Sequence, residues 1–346
     1  MYFYEKYAKI KSEEATVELF STVRFIACTG ERMSTVKVKA YAKINLTLEI
    51  VGVEAGFHLL DSLVASVDLF DYIVLKKRKD KLSSITMHGL GSEAIPPEQN
   101  NALKAAERFS QIFGVNGADI TVYKNIPMGA GLGGSSADAS GVLNGMAKLY
   151  NVTDEVAIDN LADELGSDVK YMRKGGFARM QGRGTTLSPL AIDKTLYFLA
   201  LLPNASVNTG ACYREYDASP LNKDAKNATE NAIATLNKKG AEALEELGRY
   251  LTNDLFLPAT RLNEQVKIAY EEALSFSPLG AVMTGSGSCV LALFETRELC
   301  EWAKSRYKGK CRAVVVKTIQ PKAIEKKVWK NPFVLSQNET EMIDES

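Results

Sequence analysis

The chain has 346 residues, 46% of them hydrophobic and 24% charged, a composition that buries a core and excludes a disordered or fibrous chain, at a length that allows two domains. Lys+Arg and Asp+Glu both number 42, so no global basic field draws nucleic acid or an anionic membrane surface. Five cysteines without CxxC spacing and two histidines, His58 and His88, argue against a disulfide framework or a histidine-rich metal site and for a reducing, cytoplasmic setting; no apolar stretch reaches the roughly 18 residues of a membrane span.

Residues 1–32 mix charge and apolar residues without the pattern of a secretory signal, and Met33 opens the coherent sequence. From Val36 to Ile50 apolar residues alternate strictly (Val36, Val38, Ala40, Ala42, Ile44, Leu46, Leu48, Ile50), which predicts one long half-buried strand. Its other face carries Lys43 and Asn45, pointing the same way and away from the core. A second strand, Ala118 to Lys124, leads through a turn at Asn125–Pro127 to the glycines Gly129, Gly131, Gly133 and Gly134. The three- and four-residue spacing of Ala139, Val142, Leu143, Met146 and Leu149 then predicts a helix, capped by Ser135 or Ser136 and carrying Asp138 in its first turn. Another helix, Val156 to Leu165, ends at Gly166, and Ser167-Asp168 stands where a short helix starts. Thr195 to Leu202 reads as a strand opening a second domain, followed by helical patterns at Ala232–Leu251 and Leu262–Leu274. Thr284-Gly-Ser-Gly-Ser288 lies between apolar strands, the run Ala313–Lys317 is a last strand, and residues 321–346 form a basic, then acidic tail.

Four glycines and two serines where a strand turns into a helix make an anion site. Glycines let backbone N–H groups converge on phosphate, and the helix N-terminus adds unmet donors and the positive end of its dipole. Gly129, Gly131 and Gly134 satisfy GxGxxG, but no acidic residue ends a strand about 20 residues later, as a dinucleotide fold requires. Ser135 stands where GxxxxGK[ST] requires lysine, which excludes a Walker A loop. A tight turn with a serine cap is the plain alternative. Taken singly, Lys43 and Asn45 read as a solvated face, Asp168 as a helix cap, Thr284–Ser288 as a hairpin turn and His58 as a loop histidine.

In this order and combination, the strand Ala42-Lys-Ile-Asn-Leu46, the loop Pro127 to Ala139 and the late loop Thr284–Ser288 resemble the three hallmark regions of the GHMP kinase superfamily, over nearly all of Lys37–Lys317. Gly56-Phe-His58, Leu165-Gly-Ser-Asp-Val169 and the pair Thr209 and Tyr213 resemble more narrowly the branch acting on 4-diphosphocytidyl-2-C-methyl-D-erythritol in non-mevalonate isoprenoid synthesis. Lys170, Thr185 and Val51–Ala55 depart from that branch near the expected substrate rim. The resemblance implies an α+β protein in two lobes, one like ribosomal protein S5 domain 2 (residues 33–190) and one ferredoxin-like (residues 191–320). It implies ATP as co-substrate, held by Lys124, Pro127, Met128, Gly129, Ala130, Gly131, Leu132, Gly133, Gly134, Ser135, Ser136 and Ala137, with Mg²⁺ on Ser136. Asp168 is then the group that accepts the hydroxyl proton and Lys43 its partner. Asn45, Phe57, His58, Thr209 and Tyr213 hold a small-molecule alcohol, with no role for nucleic acid or membrane. Another GHMP kinase, for homoserine, a mevalonate derivative or a sugar, and a non-catalytic nucleotide-binding protein are the alternatives.

Overall fold

The computed structural model describes residues 34–89, 96, 99–218, 227–240 and 242–320; the extension at 1–32 and the tail at 321–346 lie outside them. The alternating stretch forms two strands where one was expected: β1 (Thr35–Asn45) and β2 (Thr47–Glu54) are separated at Leu46. A bulge between Tyr41 and Lys43 interrupts the pairing of β1 with β3 (Phe57–Lys77). The expected apolar face is the core face, with Ala40, Ala42, Ile44, Leu46 and Leu48 all buried. The other face is the correction: Lys43, Asn45 and Thr47 are also buried, because another layer of the protein covers them.

β3 is the hub of the first sheet, pairing antiparallel with β1, β2, β5 (Ala118–Tyr123) and β6 (Phe177–Gly182). β4 (Ser84–His88) runs parallel to β5, and β7 (Thr186–Leu190) completes a hairpin with β6. Helix α1 (Asn101–Phe113) starts on an Asn100 cap, and α2 (Gly134–Tyr150) follows the glycine loop. The apolar stripe of α2 is buried as its spacing predicts. Gly141 and Gly145 let it lie against the sheet, since a Cβ at either would fall 2.6 Å from Ile73 or 2.4 Å from Leu75. Its start differs from expectation. The cap position is Gly133 with no side-chain cap bond, Ser135 and Ser136 sit inside the first turn, and Asp138 lies beyond it. Helices α3 (Glu155–Leu165) and α4 (Ser167–Lys174) meet at Gly166.

The second sheet consists of β8 (Tyr197–Leu202), β10 (Gly280–Met283), β11 (Val290–Phe294) and β12 (Arg312–Lys317) in the antiparallel order β10-β11-β8-β12, the ferredoxin-like arrangement. Between β8 and β10 the chain forms α5 (Thr209–Ala218), α6 (Ala228–Leu236), α7 (Glu242–Tyr250), β9 (Thr252–Asn253), α8 (Phe256–Leu262) and α9 (Glu264–Leu274); α10 (Arg297–Arg306) precedes β12. The helical pattern at Ala232–Leu251 is split between α6 and α7 around Gly240, which has φ +104°. β9 leaves this set to pair parallel with β2 of the first sheet at Thr47 and Leu48, and Thr284 of the second half meets the backbone N–H of Asn45. Among the described residues, no helix is long and apolar enough to cross a membrane.

Candidate active site

The glycine loop owes its shape to alternation. Gly129, Gly131 and Gly133 have φ of +65°, +75° and +72°, open only to glycine at little cost, while Ala130 and Leu132 between them are buried. The carbonyls of those two residues are taken up by the surroundings: Cys289 N–H donates to Ala130 O and Lys43 N–H to Leu132 O, each at 3.1 Å. The loop is thereby pinned to β1 on one side and to the β10–β11 turn on the other, and the odd-numbered glycines face a cavity. The approach leaves no room for a side chain. A Cβ on Gly131 would stand 2.1 Å from the Thr284 carbonyl oxygen, and one on Gly133 3.1 Å from Lys43 Cγ. Ala130, Leu132 and Ala137, expected at the nucleotide, thus anchor the loop with buried side chains and offer a ligand only backbone.

Lys43 and Asn45, two apart on β1, do share a face. Lys43 Nζ donates to Asn45 Oδ1 at 2.7 Å and lies 3.4 Å from Asp168 Oδ2 in the first turn of α4. Asn45 is fixed twice more: its amide nitrogen donates to Ser62 Oγ at 2.8 Å and its backbone N–H to Thr284 Oγ1 at 2.9 Å. The turn holding Thr284 is tied by Asn253, whose side-chain amide donates to the carbonyls of Met283 (2.6 Å) and Gly285 (2.8 Å). Lys43, Asn45 and Asp168 open onto a cleft of about 1010 Å³, which Gly129, Gly131, Gly133, Gly134, Ser135 and Ser136 line from the loop side.

The same cleft is also lined by Phe57, His58, Thr209 and Tyr213. His58 stacks on Tyr213, centroids 4.8 Å apart at 30°, and its Nε2 is 2.7 Å from Asp217 Oδ1. The guanidinium of Arg183, in the β6–β7 turn, covers the Phe57 ring at 3.4 Å. Thr209 Oγ1 pairs with Ser286 Oγ at 2.9 Å. Burial pushes the Tyr213 phenol up to about 12, so it stays a neutral hydroxyl across the physiological range. Ser62, Asp217 and Arg183 belong to the site but escaped sequence reading. For Asp217 there was a signal, because it lies one helical turn beyond Tyr213 on α5.

The remaining expected nucleotide ligands sit on the far side of the loop. Lys124 and Met128 line a smaller pocket of about 150 Å³ with Met87, Asn100, Asn101 and Asp138, and share Gly129, Gly134 and Ser135 with the main cleft. Pro127 lies at the loop entrance, half-buried and in neither cavity. The Lys124 ammonium is not free to meet a phosphate: it is buried between Asp71 Oδ2 and Asp138 Oδ2, the latter at 2.6 Å. Removal from water disfavours that cation, yet its two carboxylate partners more than offset this and hold its pKa above the ordinary lysine value. One ammonium serves two carboxylates. Desolvation, aided by repulsion from Asp71, therefore pushes Asp138 up to about 8, and its Oδ1 has no hydrogen-bond partner.

Comparisons with known proteins place the chain in a family. Residues 100–178 match the GHMP kinases N terminal domain and residues 232–308 the GHMP kinases C terminal domain. The 4-diphosphocytidyl-2-C-methyl-D-erythritol kinase of Clostridium beijerinckii is 33% identical over 280 residues, 79% of this chain and 97% of that one. Its namesake from Clostridium tetani is 34% identical over 289 residues, 82% of this chain and 100% of that one. A crystal structure of a 4-(cytidine 5'-diphospho)-2C-methyl-D-erythritol kinase superposes with a TM-score of 0.67 at 28% identity, covering 82% of this chain and 98% of that one. Homoserine kinase from Cytophaga hutchinsonii, at 19% identity and a TM-score of 0.64 over 84% of this chain and 96% of that one, shares the fold. This chain belongs to the GHMP kinases, in the family of the 4-diphosphocytidyl-2-C-methyl-D-erythritol kinases.

Proposed function

We propose that the chain transfers the γ-phosphoryl group of ATP to the 2-hydroxyl of 4-diphosphocytidyl-2-C-methyl-D-erythritol. The observation that carries the chemistry is the Lys43–Asp168 pair, 3.4 Å apart in a cleft walled by the glycine loop. In-line phosphoryl transfer asks the protein chiefly to align the reactants and to stabilise spreading charge. The backbone donors of Gly129 to Ser136 at the N-terminus of α2 face the phosphates, and the small pocket behind the loop takes the base of the nucleotide. Asp168 accepts the hydroxyl proton as the substrate oxygen bonds to the γ-phosphorus and the bond to the β-phosphate oxygen breaks. Lys43, held by Asn45, neutralises charge at the attacking oxygen.

Mg²⁺ binds typically through one or two protein groups plus substrate phosphates and water, and the half-buried Ser136 hydroxyl beside the loop fits that sparse demand. When bound, the ion supplies charge neutralisation to the phosphates. At the acceptor end, Tyr213, His58 and Phe57 present ring faces and a polar edge to a cytosine. Asp217 on His58 Nε2 fixes the ring and selects which nitrogen is left for the base. A coupled ADP-release assay of the purified chain against 4-diphosphocytidyl-2-C-methyl-D-erythritol, mevalonate and homoserine tests the reading. Turnover confined to the cytidine compound is expected, and turnover of either small alcohol in its place would overturn the acceptor assignment.

A further inference from the structure

Asp71 lies outside both cavities, on β3, and is fully buried. A buried carboxylate survives only if it is paired and hydrogen-bonded. Among the described residues, all the partners of its carboxylate belong to one segment: Oδ1 accepts the backbone N–H groups of Asn125 and of Ile126, the latter at 2.8 Å, and Oδ2 accepts the Lys124 ammonium. These three residues form the link between β5 and the glycine loop. The same ammonium donates to Asp138 Oδ2 at 2.6 Å, four residues into the helix on the far side of the loop. One side chain of the central strand thus holds the entry of the phosphate loop directly, and its exit through a single lysine.

We infer that Asp71 is a positioning residue for the nucleotide: it fixes the distance and angle between the two ends of the phosphate loop, and so the direction of the loop's N–H donors. The inference rests on the glycine loop being the ATP site. Donors aimed in advance at the phosphates lose no free energy to reorganisation on binding, whereas a loop freed at its entry must be reordered by the ligand. Lys124, expected to touch the nucleotide, is in this reading also the bridge between Asp71 and Asp138. The acceptor half of the cleft, at His58 and Tyr213, has no bond to this clamp and is expected to be indifferent to it.

The test compares wild type and Asp71→Asn by calorimetry with a non-hydrolysable ATP analogue and with cytidine 5'-diphosphate as acceptor-side probe. Loss of a charge-assisted hydrogen bond within the clamp should weaken nucleotide binding about tenfold or more. Cytidine diphosphate binding should hold within about twofold, because no bond of the clamp reaches that half of the cleft. A KM for ATP raised by the same factor, with kcat at saturating ATP little changed, separates positioning from general damage. Equal losses at both ends of the cleft would make Asp71 a structural residue only, and unchanged nucleotide affinity would overturn the inference. Wild-type protein that fails to bind the analogue overturns the ATP-site reading itself and this inference with it. Should Asp71→Asn not fold, hydrogen exchange of the wild type decides: the Asn125 and Ile126 amides must exchange as slowly as those of β5, and exchange at free-loop rates sinks the clamp.

Discussion

Lys43 is buried to 6% exposure on a strand that reads as half solvated, and among the described residues its ammonium is met by Asn45 and Asp168. In the proposed reading this cation serves a carboxylate whose charge is needed in the cleft. Asp168→Asn keeps the size and the hydrogen bonding of the first turn of α4 but cannot take a proton. Its kcat is expected to fall by at least about 10²-fold with nucleotide affinity nearly unchanged. Steady-state kinetics beside calorimetry check it, and near-normal kcat would reduce Asp168 to a helix-end residue. Gly133 gives a second prediction. At φ +72° a β-branched residue is strained, and its Cβ would press on Lys43 Cγ and Met172 Sδ, each at 3.1 Å. Met172 Sδ lies near the end of a flexible side chain, but Lys43 Cγ is mid-chain on a lysine held by Asn45 and Asp168, so the strain falls on the loop and on the Lys43 stem. Strain of about 1 to 3 kcal/mol in the loop predicts a nucleotide Kd for Gly133→Val raised roughly 5- to 150-fold. Unchanged affinity would remove the loop from the ATP site.

At the scale of elements, periodicity announced α2 and α3, and apolar composition announced the strands flanking Thr284–Ser288, which are buried along almost their whole length. β3 gave no such signal. Ser62 to Val67 are buried on both faces, so apolar and small residues run together without alternation. The start of α2 was misread for a different reason: a serine after glycines reads as a cap, but Gly133 fills that position and leaves both serines inside the first turn. Of the site, the glycine loop and the Lys43/Asn45 face were legible as local pattern. The role of Asp168 was suggested only by resemblance, and the burial of Asp71, Lys124 and Asp138 together was not legible, since each comes from a different element. That triad carries a pH prediction. The folded protein holds Asp138 at about 8, well above the ordinary carboxylate near about 4. Between those values the folded chain binds a proton that the unfolded chain has released. The stabilisation is therefore whole below about pH 4 and is lost progressively as pH rises toward about 8. Asp138→Asn removes this slope. Urea midpoints of wild type should fall more between pH 5 and pH 8 than those of the variant, and parallel profiles would show that Asp138 titrates normally.

Over the whole molecule, one cleft is lined by the glycine loop and α4 and also by β2–β3, α5 and the β10–β11 turn, and in the proposed reading nucleotide and acceptor share it, the acceptor at His58 and Tyr213. Homoserine kinase shares the fold, so the fold by itself does not select the alcohol; in the proposed reading that selection falls to the residues around His58 and Tyr213. There Tyr213 is stacked by His58, which Asp217 holds in turn, so loss of the phenol ring removes a platform and frees its neighbour together. Base–aromatic stacking is worth about 1 to 3 kcal/mol per base, so Tyr213→Ala should raise KM for the cytidine substrate roughly 5- to 150-fold. The ATP KM should stay within about twofold, because the proposed base pocket behind the loop is lined by no residue of α5. A homoserine or mevalonate kinase has no base to stack, and for it the same substitution should leave the acceptor KM near its starting value. Measuring both constants for Tyr213→Ala with the cytidine compound therefore tests the separation of the two halves and the identity of the acceptor at once. An acceptor KM that does not move would remove Tyr213 from the cytosine pocket, and an ATP KM that rises in step would show that the halves are coupled.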